Sequence, residues 1–305
     1  MKNLFVFALA MLATVSVYAQ DEGAGEEEIP SYWTKTASFG LNITNVGLTN
    51  WAGGGKSSLA IAGLVKANAT YSKEQITWVS TFEAGYGLLR QEDDFNVLQL
   101  RKSDDRLILT SKWSKDFGES PWAFTALADF RTQMTDGFEY FYDENNVLQE
   151  NVISRLMAPG YLTVALGGEY KPNDNFYAMA SPVSGKVTFV MDDDLSNIGA
   201  FGVDTGKTIR TELGAIFNMR WAWNIAENVN YETKLNLFQA YRSGAMVDVM
   251  WDNLIEMKVN DYITTTFSTQ LIYDEDVLIF SDKDGLTKER VQFKHVLNVG
   301  FLFTI

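Results

Sequence analysis

A single histidine and no cysteine confine the chemistry open to this chain. A hydroxyl nucleophile needs a base within hydrogen-bond reach and a third group that orients the base. The histidine is His295, and the residues alternating with it are Phe293 and Leu297 rather than a serine. No nucleophile or orienting group adjoins it in sequence, which leaves only a partner from another segment. No catalytic residue is assigned on this basis, and His295 reads as a histidine at a lipid headgroup boundary. With no cysteine, a disulfide-stapled domain is excluded.

Carboxylates recur in pairs and runs: Asp93-Asp94, Asp104-Asp105, Asp192-Asp193-Asp194, Asp274-Glu275-Asp276 and Asp282-Lys283-Asp284. Ca2+ takes several oxygen ligands, and such runs can also bridge through divalent cations to lipopolysaccharide phosphates. None has the spacing of a dedicated calcium loop. They read as solvated acidic loops, and no metal or cofactor is assigned. Gly53-Gly54-Gly55 is followed by Lys56-Ser57 but by no helical pattern, so the phosphate-loop reading fails. Three glycines let backbone approach another loop or a partner closely. Trp51, Gly53, Gly54 and Gly55 are therefore the candidate partner contacts.

The remaining charges need the elements that carry them. In Val229–Gln239, Val229, Tyr231, Leu235 and Leu237 alternate with Asn230, Glu232, Lys234 and Asn236. Val247–Val259 and Thr211–Trp223 repeat the pattern. A period of two over such lengths is a strand with one polar and one apolar face. Soluble strands usually run about five or six residues, and membrane strands about nine to eleven. Windows of this kind recur between Thr36 and Ile305, about twelve in all, an even number as in bacterial barrels. Asn175–Pro182 is the weakest of them.

Every second connection is short: Ser72–Gln75, Asp116–Pro121, Pro172–Asp174, Asn224–Asn228 and Asn260–Asp261. Most others are long: Leu88–Asp104, Gln133–Gly160, Val183–Thr208 and Asp274–Arg290. Transmembrane barrels have short periplasmic turns and long outer loops. Tyr71, Trp78, Trp113, Trp122, Tyr170, Trp221, Trp223 and Tyr231 fall beside the short turns on the apolar faces, where an aromatic girdle belongs. The fold class is thus all-β: a transmembrane antiparallel up-and-down β-barrel of about 12 strands.

Polar faces then point inward, and the candidate lumen-lining residues follow by parity. They are Lys66, Glu83, Lys112, Asp129, Arg131, Glu169, Glu212, Arg220, Glu232, Lys234, Asp248, Asp252, Glu256 and Lys258. Both signs are interleaved. A salt-bridged lumen would close the barrel, and a wet one with the same charges would be a narrow pore. In Val183–Thr208, the apolar Val187, Phe189, Val190, Ile198 and Phe201 predict a loop that folds over or into the barrel, or covers a partner.

The first residues carry Lys2, the apolar stretch Leu4–Val17 and the small-residue exit Val17-Tyr18-Ala19. This is a secretory signal peptide over 1–19. An acidic, flexible periplasmic lead-in follows over 20–32, and a single outer-membrane barrel domain spans 33–305. A net charge of −14 argues against nucleic acid as a partner. After the signal no run of about 18 apolar residues occurs, so helical spans are excluded. The last strand, Asn298 to Ile305, is similar to the signal read by the barrel-assembly machinery, though an aromatic usually stands at the end.

Several fragments together resemble an uncharacterised family of Bacteroidota outer-membrane proteins catalogued as a domain of unknown function. They are Asn50-Trp51-Ala52-Gly53-Gly54-Gly55, Arg101-Lys102-Ser103-Asp104-Asp105-Arg106, Arg131-Thr132-Gln133, Ala158-Pro159-Gly160, Tyr170-Lys171-Pro172, Ser181-Pro182-Val183-Ser184-Gly185-Lys186 and Gly199-Ala200-Phe201-Gly202. The resemblance spans about Trp33 to Ile305. It implies an outer-membrane barrel in a Gram-negative cell, and no substrate or catalytic residue.

The first functional expectation is a non-enzymatic barrel, an accessory or structural component of an outer-membrane assembly. The alternative is a narrow porin-like channel or transporter for small solutes or lipids. A third reading is a lipid-modifying enzyme built on His295. Expected partners are outer-membrane lipid and lipopolysaccharide, the assembly machinery through the C-terminal strand, and other outer-membrane proteins.

Overall fold

The computed structural model describes residues 31–46, 58–92, 98–145, 147–260, 263–281 and 286–304. The barrel belongs to one compact unit, Trp33–Ile305. The signal peptide, almost all of the lead-in and the Trp51 and Gly53–Gly55 contacts lie outside the described residues.

Long alternating segments become long strands. They are β1 (Trp33–Val46), β2 (Ser58–Lys73), β3 (Ile76–Glu92), β4 (Leu98–Asp116) and β5 (Trp122–Thr132). A separate hairpin, β6 (Gly137–Tyr142) and β7 (Leu148–Ser154), precedes β8 (Gly160–Asn173) and β9 (Phe176–Phe189). Then come β10 (Ile209–Ala226), β11 (Val229–Ala240), β12 (Val247–Lys258) and β13 (Ile263–Tyr273). A second hairpin, β14 (Leu278–Ser281) and β15 (Leu286–Glu289), leads to β16 (Gln292–Thr304). Every inter-strand pairing is antiparallel, and the ring β1-β16-β13-β12-β11-β10-β9-β8-β5-β4-β3-β2 closes on itself. Closure leaves no free edge, which a backbone in hydrocarbon requires.

The distribution of apolar surface is inverted relative to a soluble sheet. Leu213, Val183, Phe293 and Leu297 are each 64–70% exposed on the outer wall. Beside the short turns, aromatic rings touch in an outward belt: Trp33 on Tyr71 at 5.3 Å, Trp122 on Tyr170 at 4.9 Å, Trp221 on Trp223 at 4.4 Å and Trp223 on Tyr231 at 4.6 Å. Amphipathic rings favour the headgroup level, which fixes the depth of that end. The chain is a twelve-stranded transmembrane β-barrel.

Two expectations about connections change. The weak window Asn175–Pro182 is the start of a full-length strand, β9, and the loop expected from Val183 begins only at Val190. The cause is a bulge, seen as a register shift where Ser181 to Val183 pass Leu166–Gly168 of β8 and Gly214–Ile216 of β10. One extra residue flips the alternation, so inward positions change from odd to even numbers. The Ser181 hydroxyl meets the Leu166 and Val183 carbonyl oxygens at 2.6 and 2.8 Å, and Ser184 donates to the Gly214 carbonyl at 2.6 Å. A side chain at Gly167 or Gly214 would collide with the Ala180 or Gln239 carbonyl, so both flanks need glycine. The long connections between β5 and β8 and between β13 and β16 contain the two extra hairpins rather than irregular chain, and most of the loop expected over Leu88–Asp104 is strand, since β3 runs to Glu92 and β4 starts at Leu98.

Candidate functional site

Parity and register bring the inward charges into pairs, mostly between strands. Lys112 on β4 reaches past β5 to Glu169 on β8 at 2.8 Å, and Thr125 adds a hydroxyl at 3.3 Å. The Lys112 ammonium also sits 4.1 Å over the Tyr177 ring. Glu232 on β11 takes Arg220 and Lys234, both at 2.6 Å. Glu212 pairs with Arg210 at 2.6 Å, and Arg210 also meets Asp276 at 2.6 Å. Lys186 on β9 spans three strands to Asp248 on β12 at 2.7 Å and lies 3.5 Å from Asp274.

A belt of polar groups crosses the interior further round. Arg131 on β5 binds Asp129 at 2.5 Å and places Nη1 2.7 Å from the Met250 sulfur on β12, five strands away around the ring. Thr110 donates to Asp129 at 2.7 Å, and Gln270 donates to Asp252 at 2.8 Å. Glu83 takes Arg106 at 2.8 Å, and Arg106 also holds Asp104 at 2.8 Å. Lys258 ends β12 at the short turn and is exposed.

The packing inside is lopsided. Among the described residues, every non-glycine residue buried as a whole lies between Ser114 and Ala240. Leu127, Ala165, Met179, Ile216, Phe238 and Ala240 form one apolar cluster there, inside the barrel. Among the described residues, no non-glycine residue of that kind occurs on β1, β2, β3, β12, β13 or β16. Three of those strands turn mostly small groups inward: Thr36, Ser38, Gly40 and Asn42 on β1, Ala60, Ala62 and Asn68 on β2, and Thr264, Thr266 and Ser268 on β13; β12 instead turns Asp248, Met250, Asp252 and Glu256 inward. Asn68 bridges Thr36 at 3.3 Å and Thr81 at 3.0 Å.

Of the inward charges on this looser side, Glu83, Asp248, Asp252 and Lys294 have polar partners. Among the described residues Lys66 and Glu256 have no ion pair or hydrogen bond. Lys66 lies midway along β2, in register with Ser38 and Glu83. Its natural partner, the Glu83 carboxylate, is taken by Arg106.

Outside the membrane-spanning strands, the connection from Val190 to Thr208 forms a lid with its own core. It contains a short helix, α1 (Asp193–Asn197), and a 3-10 turn at Ala200–Gly202. Val190, Leu195 and Val203 pack on Ala158 of the segment before β8, with Ala200 and Phe201 against them. Asp192 accepts from the Leu195 amide at 3.0 Å, which caps the helix, and also binds Arg155. The amide and then the Arg155 guanidinium hold the Asp192 carboxyl below the usual carboxylate range.

Parity missed Arg106, Lys186, Arg210, Asp274 and Asp276. Arg106 was within reach of it, because it alternates with Thr110 and Lys112 on β4. Lys186 was not, since it follows the bulge.

The barrel is similar to several solved structures. An outer-membrane channel from Pseudomonas putida F1 is 10% identical over 94% of this chain and 100% of that one, with a TM-score of 0.42. The translocator domain of the autotransporter NalP from Neisseria meningitidis is 8% identical over 99% and 95%, with a TM-score of 0.40. The NanC porin is 7% identical over 88% and 98%, also at 0.40. No curated protein matches the chain. Residues 43–138, which include three of the fragments quoted above, match the family model described as Protein of unknown function (DUF3078), so the resemblance to an uncharacterised family is borne out there.

Proposed function

We propose that the protein is a narrow outer-membrane channel for small hydrophilic solutes. Its passage runs along the interior of β12, β13, β16, β1, β2 and β3. The observation that carries this reading is Lys66, a mid-strand ammonium without an ion pair among the described residues. An unpaired charge withdrawn from water is penalised heavily, so this one keeps its hydration. Water at that depth in a closed barrel occupies a passage. Small inward groups around it, such as Ser38, Gly40 and Ala62, leave the room. With its charge unneutralised, Lys66 favours anions over cations at that level.

An even ring returns both termini to the periplasmic side, and export uses the cleaved N-terminal signal. Outer-membrane lipid, lipopolysaccharide and the assembly machinery are the partners such a barrel meets. A sealed, purely structural barrel would need the ion-paired packing of β4–β11 on both sides.

Single-channel recording in planar lipid bilayers across a KCl gradient tests this. The purified chain gives a steady conductance with a mild anion preference. Lys66→Met weakens the preference and Lys66→Glu turns it toward cations. Absence of conductance above the bare bilayer, or a reversal potential indifferent to Lys66→Glu, overturns the reading.

A further inference from the structure

The lipid-facing wall is apolar over most of the ring, where the outward Ser80 and Ser111 bond each other and the Trp78 indole donates to Ser111, and one side of it carries a longer polar row. Register pairs Thr233 on β11 with Asn253 on β12, Asn253 with Thr269 on β13, and Thr269 with His295 on β16. Their alternate neighbours are outward residues: Trp251 is 44% and Leu297 64% exposed. Four polar side chains therefore stand in one row across four adjacent strands of the membrane face. Apolar residues flank the row on both sides, with Trp251, Leu271 and Phe293 toward the outer loops and Ile255, Phe267 and Leu297 toward the short turns.

The row is only partly satisfied from within. The Trp251 indole donates to Thr233 at 2.9 Å. The Tyr231 hydroxyl donates to Asn253 Oδ1 at 2.6 Å, and Asn253 Nδ2 donates to Thr269 at 3.2 Å. Among the described residues, the Thr269 hydroxyl hydrogen, the second amide hydrogen of Asn253 and both His295 ring nitrogens find no partner. Hydrocarbon offers them none, so an occupant with polar groups at this depth is favoured over lipid tails.

We propose that the occupant is a second copy of this chain, docked on the same β11–β12–β13–β16 wall. Asn253, Thr269 and His295 each belong to types that donate and accept, so the row complements itself. A two-fold contact requires a patch of that kind. Two convex barrels touch along a line, and strands tilted by about 35–45° carry a row perpendicular to them across that line once. The crossing falls at the middle of the row, where Asn253 and Thr269 of one copy meet those of the other. Shape agrees with this. On the β10–β12 side of the row lies a concavity of about 400 Å3 lined by Trp221, Trp223, Tyr231, Thr233, Leu235 and Trp251. On the other side Leu297 and Val299 project, 64% and 61% exposed. A two-fold axis between β12 and β13 turns each copy's projecting pair toward the other's concavity.

The absence of cysteine makes the test direct. Full-length Thr269→Cys and, separately, Asn253→Cys are expressed in outer membranes and oxidised with copper phenanthroline. Each gives a reducible band at twice the chain mass. Ala128→Cys, on β5 at the opposite point of the ring, gives at least fivefold less. All three are compared on protein that keeps the fast-migrating folded form on unheated gels. Cross-linking at 253 and 269 no stronger than at 128 overturns the proposal, as does a reducible band whose mass fits a different protein. The readout does not depend on ion passage, so it stands apart from the channel reading.

Discussion

The two sides of the barrel interior are built from the same alternation and end in opposite states. From β4 to β11 the inward residues are large and charged in complementary sequence, so they meet and bury one another. From β13 through β16 and β1 to β3 they are mostly hydroxyls, amides, glycine and alanine, while β12 between them turns Asp248 and Met250 toward Lys186 and Arg131 of the denser side. A pattern of polar and apolar residues therefore sets which way a wall faces, and side-chain length sets whether the space inside is filled. The comparison is sharpened by removing one charge from each side. Glu169, 2% exposed, is the acceptor for Lys112, and Glu169→Ala strands a half-buried ammonium. We expect a loss of about 3–5 kcal/mol of stability, the usual range for breaking a buried pair. Lys112→Met combined with Glu169→Gln recovers most of it. On the other side, Lys66→Met removes a hydrated charge and changes stability by less than about 0.5 kcal/mol. Urea midpoints of the detergent-solubilised barrel measure all three. Equal losses from Glu169→Ala and Lys66→Met would erase the distinction between the sides.

Why the sequence conveyed one part of this and not the other follows from particular residues. Direction is local: Tyr231, Glu232, Thr233 and Lys234 declare their faces by parity, and the short turns and outward tryptophans declare the depth. The ring and the closeness of Glu232 to Lys234 were legible for that reason. Partnership is not local. Lys186 finds Asp248 three strands away only because Ser181 to Val183 insert a bulge, and a phase flip within one strand leaves no signature that alternation can read. The contact of Arg131 with Met250 depends on which strands face each other across the ring, a property of strand number and shear. The hairpins β6–β7 and β14–β15 were hidden inside expected loops because they are short, and neither joins the ring.

Filling space separates the two sides next. Ser38 lies inward on β1, in register with Lys66. Ser38→Trp places an indole in the looser side, where no buried side chain is displaced. It should lower single-channel conductance several-fold and leave stability within about 1 kcal/mol, because nothing well packed is forced off its rotamer. The matching change on the denser side, Ala165→Trp, inserts the same volume beside Leu127 and Met179. Overpacking of that kind costs about 1–3 kcal/mol or more, and conductance falls little because that side carries no flow. Bilayer recording and urea unfolding of the two variants form a crossed pair. A conductance loss from Ala165→Trp as large as that from Ser38→Trp would move the passage off the β1–β2 wall.

The smallest expected effect concerns the lid rather than the wall. Asp192 binds Arg155 and caps α1, and both contacts favour its ionised form, so its folded value lies below the ordinary 3.8. A carboxyl held low in the folded state contributes stability above its ordinary value and loses it as pH falls through the folded one. The lid clasp therefore persists through neutral and mildly acidic solution and weakens only below that ordinary value. The barrel's main pairs lie elsewhere, so the ring stays closed while the clasp opens. Limited proteolysis with pepsin, which works in that range, should cut first between Val190 and Thr208 as pH drops, with the folded gel mobility of the barrel retained. Asp192→Asn, which keeps an acceptor for the Leu195 amide and removes the charge facing Arg155, should raise the rate of that cut at pH 4, measured against an unfolded substrate at the same pH, and flatten its further rise on acidification. An unaltered cutting rate in Asp192→Asn would show that Val190, Leu195 and Val203 hold the lid against Ala158 without help from the clasp.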